Sequence, residues 1–212
     1  ITDPAIDVTY DNNAADSNSF FKANRTATIV VTERNFNQAD IESKIVITNT
    51  DGAAPTISAW TKKEGTGNLD DTTWTAKVVY NKDGDYTFDI ACADLAGNEC
   101  KSEDVNYGDS VAPTAFTIDK TIPVIAVAYD NNSAMNGNYY KASRTATITI
   151  TEHNFNADRV NITVSATDDG TVVGAPSESS WTSKGDTHTA TIHYPGDAMY
   201  TFDITMSDKA GN

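Results

Sequence analysis

Two kinds of side-chain cluster in this sequence could do chemistry. Asp11, Asn12 and Asn13, and their later twins Asp130, Asn131 and Asn132, set carboxylate and amide oxygens side by side. Asp94 with Asn98, and Asp208 with Asn212, do the same across a short glycine-bearing turn. Oxygen donors on turns can supply the roughly six to eight ligands that calcium takes. The same residue types also close Asx turns that end strands with no ion at all. The spacing matches no EF-hand loop, and both readings stand at this point. Calcium is the one cofactor the sequence leaves open, and no other is expected.

Nucleophilic or general acid–base chemistry has less to work with. The three histidines, His153, His188 and His193, all lie in the second half of the chain. His188 and His193 are five apart on an expected strand and so face opposite ways, which spoils a shared metal site. They read as scattered surface residues. There is no phosphate loop of recognised spacing and no nucleophile elbow. No set of residues meets the geometric demands of a catalytic site, and an enzyme is not expected.

The elements that carry these residues are written twice. Tyr10 recurs as Tyr129 within "YDNN", 119 positions on, and "RTATIVVTERNFN" recurs at the same spacing as "RTATITITEHNFN". "YTFDIACADLAGN" (86–98) returns as "YTFDITMSDKAGN" (200–212). The spacing drifts only in Gly- and Asp-rich stretches, where insertions are tolerated as surface loops. Within each copy the apolar period is two: Ala146, Ile148 and Ile150 share one face, as do Tyr200, Phe202, Ile204 and Met206. Other expected strands are 6–10 with 125–129, and 45–48 with 162–167. No window shows an apolar helical stripe. Short Thr- and Val-rich strands in a unit of about 100 residues predict an all-β chain of two tandem β-sandwiches, each of about seven strands.

A net charge of −15 argues against nucleic-acid partners and anionic membranes, which need Lys and Arg to meet phosphate. No stretch approaches the roughly 20 apolar residues of a membrane span. Neither a leader nor an anchoring tail is legible, so a secreted protein would carry these residues as an excerpt.

The "YTFDI…D…AGN" phrase, followed by "FTIDKTIP" (116–123), resembles bacterial immunoglobulin-like repeats of the group-3 kind. Those repeats are strung along surface proteins of Gram-positive bacteria. The "RTATI…TE.NFN" segment is similar to versions common in gut Firmicutes. The resemblance covers nearly the whole chain. It implies immunoglobulin-like sandwiches at 1–119 and 120–212, the second without its last strand, joined by a short stiff connector around Pro123. It also implies an extracellular, cell-surface or cell-wall setting. The function implied is that of a non-catalytic stalk or spacer whose partners are neighbouring repeats. The alternatives are an adhesin module that grips a host protein or glycan, or an accessory module of a secreted enzyme.

In that setting Cys92 and Cys100 are expected to form a disulfide across the hairpin around "ADLAGNE". An internal amide bond through Lys120 and an Asn on a neighbouring strand is conceivable if an acid joins them in a buried site. Asn24, Asn131 and Asn161 head N-x-S/T triplets that in a bacterial chain are chance matches. Most aromatics recur in both copies and read as core. Trp74, opposite His188 and beside the inserted loop 62–71, is the candidate ligand contact, with packing as its other reading.

Overall fold

The computed structural model describes residues 2–50, 54–67 and 72–212. The end of the inserted loop, 68–71, lies outside them. The chain divides into two compact units, Ile1–Lys120 and Thr121–Asn212, one residue from the boundary read from the repeat. Both are all-β, and among the described residues no helix is long and apolar enough to cross a membrane.

Unit 1 is an immunoglobulin-like sandwich of two sheets. The first contains β1 (Ala5–Tyr10), β3 (Arg25–Thr32), β7 (Thr73–Tyr80) and β5 (Thr56–Ile57) in that order, with β6 (Thr61–Lys63) also on β7. The second runs β2 (Phe20–Phe21), β11 (Ala115–Ile118), β8 (Gly84–Asp89) and β4 (Val46–Asn49). A small ladder pairs β9 (Cys92–Ala93) with β10 (Glu99–Cys100). Alternation places Ile29 and Val31 of β3, Val78 of β7, and Tyr86 and Phe88 of β8 in the core between the sheets. Each such side chain contributes about 1.5–3 kcal/mol on burial.

Unit 2 repeats the plan. Its first sheet is β12 (Val124–Tyr129), β13 (Arg144–Thr151), β17 (Thr187–Tyr194) and β16 (Thr182–Lys184); its second is β15 (Thr171–Val172), β14 (Val160–Asp168) and β18 (Met199–Met206). β1 and β12 hold equivalent places, each antiparallel to the long strand after "YDNN". Gly97 and Gly211 take the same left-handed backbone, φ +87° and +83°, which their turns require.

One element was not expected. Gln38–Lys44 forms a short helix, α1, capped by the Asn37 side chain, and it buries only Ile41. Two turns with one core-facing residue leave no apolar stripe to read. Asp40 of α1 accepts from the Ala93 backbone N–H at 2.5 Å, tying the helix to β9. The matching place in unit 2 holds only the 3-10 turn Ala157–Arg159.

Candidate functional site

A buried polar constellation in unit 1 surrounds Arg25, a residue the sequence reading passed over. Its side chain is fully buried, with the guanidinium carbon 3.9 Å from the Tyr10 ring centroid, 4.0 Å from Phe21 and 4.4 Å from Phe116. Nε donates to the Asn12 carbonyl (2.9 Å), Nη1 to Ala112 (3.3 Å), and Nη2 to Val111 (2.7 Å) and the Asn13 side chain (3.3 Å). Burial pulls its pKa down to about 10, against the field of Tyr10 and Tyr80. Burial likewise pushes the Tyr10 hydroxyl well above its ordinary value. Tyr10 donates that hydroxyl to the Pro113 carbonyl at 2.6 Å. The only legible signal was the repeated "RTAT" arginine following "YDNN".

The first candidate metal cluster is the wall of this cage. Asp11 accepts from the Thr26 N–H, Asn12 accepts from Ala14 and donates to Asn24, and Asn13 accepts from Arg25 and Val111. In unit 2, Asp130 accepts from Thr145, Asn131 from Ser133 and Asn132 from Arg144. The Thr145 backbone N–H, foremost among the causes, holds the Asp130 carboxyl below its usual range.

The second cluster braces a turn. Asp94 accepts from the Ala96 and Asn98 N–H groups and the Asn98 side chain, and Asp208 does the same with Ala210 and Asn212. Asn98, through its side chain first, depresses the Asp94 pKa. Asp11 meets Thr26 at the start of β3, whereas the Asp94 turn bonds to Asn35 just past its end. About seven residues of strand, roughly 23 Å, separate them. The two clusters therefore form no common cage, and their side chains make Asx braces. One further grouping was not read from the sequence. Glu152 and Asp208, both buried, bring carboxylate oxygens within 4.8 Å of one another. Backbone N–H groups of Asn154 and of Ala210 and Asn212 offset those charges.

Trp74 is half-buried and packs against the core of unit 1. Its indole N–H donates to the Glu33 carbonyl at 3.1 Å, and its ring stacks on Phe36 at 4.7 Å with Lys62 near the ring. His188 does the same work in unit 2. It stacks on Phe155 at 4.0 Å, and its Nε2 lies 2.8 Å from the Glu152 carbonyl. A carbonyl only accepts, so Nε2 carries a proton and donates to it, while Nδ1 lies 2.7 Å from the Ser183 hydroxyl. His188 is buried, which corrects the expectation of a surface histidine. His193 faces solvent on the other side of β17, and His153 pairs with Asp186 at 2.9 Å.

Cys92 and Cys100 are direct partners across the β9–β10 ladder, both buried, with free thiols. Burial first, then the neighbouring thiol, pushes Cys92 up to about 12. Lys120 Nζ lies 3.1 Å from the Asn24 side-chain oxygen and 3.8 Å from Asp83. Lysine, amide and acid do meet here, but Lys120 and Asp83 are 36% and 37% exposed. A nucleophilic amine needs an apolar, desolvated setting, so this trio is an ordinary ion-paired brace.

No family model matches the chain, and no curated protein matches it in sequence. Among solved structures the chain is similar to that of FdeC, a broadly conserved Escherichia coli adhesin, at 17% identity and a TM-score of 0.36. The match covers 97% of this chain and 60% of that one, so the chain spans about 60% of the length of the structure it matches. A likeness of that size says nothing of what this chain binds.

Proposed function

We propose that the chain is a pair of non-catalytic immunoglobulin-like modules of a bacterial cell-surface protein, related to the group-3 repeats it resembles and acting as structural spacers. One observation carries this reading. The polar residues that both copies repeat are occupied in holding each copy together: the "YDNN" loop grips Arg25 or Arg144, and the "D…AGN" turn closes on itself. A spacer needs its repeated side chains for internal bracing, and a binding module keeps some free for its ligand. A panel of immobilised glycans and extracellular-matrix proteins tests the reading. The expected result is no saturable binding; hydrolysis of any of them would also overturn it.

A second reading, adhesion, is favoured by one feature of unit 2. Val172 and Met199 flank Thr167 across the second sheet, 82% and 70% exposed. Two large apolar side chains on one outer face are a candidate contact. If the panel yields a ligand, the V172S/M199S double variant must lose it for adhesion to replace the spacer reading.

A further inference from the structure

One pair of side chains in unit 2 has a chemistry that its counterpart in unit 1 lacks. β6 and β16 hold the same place, and each sets one residue directly opposite an aromatic ring of the neighbouring strand. In unit 1 the pair is Lys62 and Trp74; in unit 2 it is Ser183 and His188. The setting of the ring is the same in both. Phe36 stacks on Trp74 as Phe155 stacks on His188, and Trp60 leans on Phe36 as Trp181 leans on Phe155. The carbonyls of Glu33 and Glu152 accept the ring N–H. Packing therefore requires a flat ring with one N–H, and an indole meets that requirement. It does not require a second ring nitrogen with a hydroxyl facing it.

His188 is 6% exposed, held between the Phe155 ring at 4.0 Å and the Glu152 carbonyl, 2.8 Å from Nε2. With the proton fixed on Nε2, Nδ1 of the neutral ring is bare and accepts. Ser183 Oγ lies 2.7 Å from it. Ser183 is exposed, on the edge strand of the first sheet. An open hydroxyl, a base within hydrogen-bond reach and a third group that orients the base are the parts of an activated serine. His193 also lies near a hydroxyl, that of Thr145 at 3.2 Å, but among the described residues nothing bonds its other nitrogen.

We propose that Ser183 is a nucleophilic acyl acceptor, with His188 as its general base, for a small activated ester or thioester. Ser183 Oγ attacks the carbonyl carbon and its proton passes to Nδ1. The C–O or C–S bond to the leaving group then breaks, and the departing alkoxide or thiolate takes that proton from Nδ1. An O-acyl serine remains, and the ring is neutral again. Turnover would also need donors for the oxyanion and a positioned water, which the dyad does not itself provide. The expected event is one acylation per chain. This inference goes beyond the spacer reading and does not depend on it, since a chain loaded once hydrolyses nothing continuously.

The probe is p-nitrophenyl acetate, incubated with the full chain and followed by peptide mapping. Ser183 should gain one acetyl group, removable by hydroxylamine, at least about a hundredfold faster than exposed Ser180. S183A should lose that adduct while lysine acetylation continues. H188W puts into unit 2 the ring that unit 1 already carries, and H188Q keeps a donor for the Glu152 carbonyl. Both should retain the amide protection of β17 and bring Ser183 down to the rate of Ser180. Labelling of Ser183 no faster than Ser180 in the parent chain overturns the proposal. So does labelling at the parent rate in either His188 variant with β17 still protected, since the ring would then be packing alone.

Discussion

Arg25 and Arg144 sit at the same point of the repeat, after the same "YDNN" loop, yet their surroundings differ. Arg25 has three aromatic faces and four hydrogen bonds, and Arg144 has two of each. The whole difference comes from one stretch, residues 106–118, which lies over both sheets of unit 1. Where it lies, β1 and β8 bury their inward faces; β12 and β18, with no matching segment among the described residues, have theirs half-buried. The strands of an immunoglobulin-like unit are thus laid down by local alternation, but its core is sealed by one late segment.

Removing that seal is the largest effect to look for. Phe116 is 3% exposed and meets Tyr10, Phe21 and Tyr80 edge-on at 5.0–6.0 Å. F116A should cost unit 1 about 3–5 kcal/mol and leave unit 2 unchanged. Trp60 and Trp74 report unit 1 and Trp181 reports unit 2, so urea unfolding in W181F and in W60F/W74F backgrounds separates them. A loss under about 1 kcal/mol would show that the segment decorates the core and does not seal it.

The arginines come next. R25A strips a buried cation and strands the Asn12, Val111 and Ala112 carbonyls, and should destabilise unit 1 by about 3 kcal/mol. R144A, more exposed and with fewer bonds, should cost about 1 kcal/mol. Equal losses in the same unfolding assay would end the comparison.

Oxidation should widen the gap between the units. A Cys92–Cys100 bond closes a short loop and is expected to add about 2.5 kcal/mol to unit 1 on the chain-entropy model. Unit 2 has Met206 in place of Cys92 and should not respond. Because the Cys92 thiol is pushed up to about 12, few thiolates exist at neutral pH. The bond should form slowly in air and faster as pH rises. Thiol titration before and after a mild oxidant reads this; two thiols surviving a strong oxidant would refute it.

The smallest effect is on acid stability. The Asp94 carboxyl is depressed below its ordinary 3.8, chiefly by Asn98. A depressed carboxylate stabilises above the unfolded value and loses that contribution as pH falls through the folded one. The melting temperature of unit 1 should therefore drop below about pH 4, and D94N should show a shallower drop. Parallel curves for the two proteins would remove Asp94 as the cause.

Much of this was legible in the sequence because it is local. A period of two specifies which residues of β3, β7, β13 and β17 face inward, and the repeated phrases pair β1 with β12 and β8 with β18. The Asx role of the "YDNN" and "D…AGN" residues was readable for the same reason: their bonds reach mostly a few positions along the chain or across one hairpin. α1 escaped because two turns with a single buried Ile41 carry no periodic signal. Trp74 and His188 share a stack on Phe36 and Phe155, but nothing in the one-dimensional pattern equates an indole with an imidazole until both are seen donating to the carbonyl of the same repeated glutamate.

By itself, then, the sequence determined an all-β chain of two related units, the inward faces of their strands and the turns between them, since these follow from alternation and turn chemistry. Tertiary structure alone decided that a charged arginine lies at the centre of unit 1. Its acceptors at Val111 and Ala112 are 86 and 87 positions away, and its aromatic walls come from three separate strands. Burial of a cation depends on every group that converges to compensate it, and that convergence exists only once both sheets have closed.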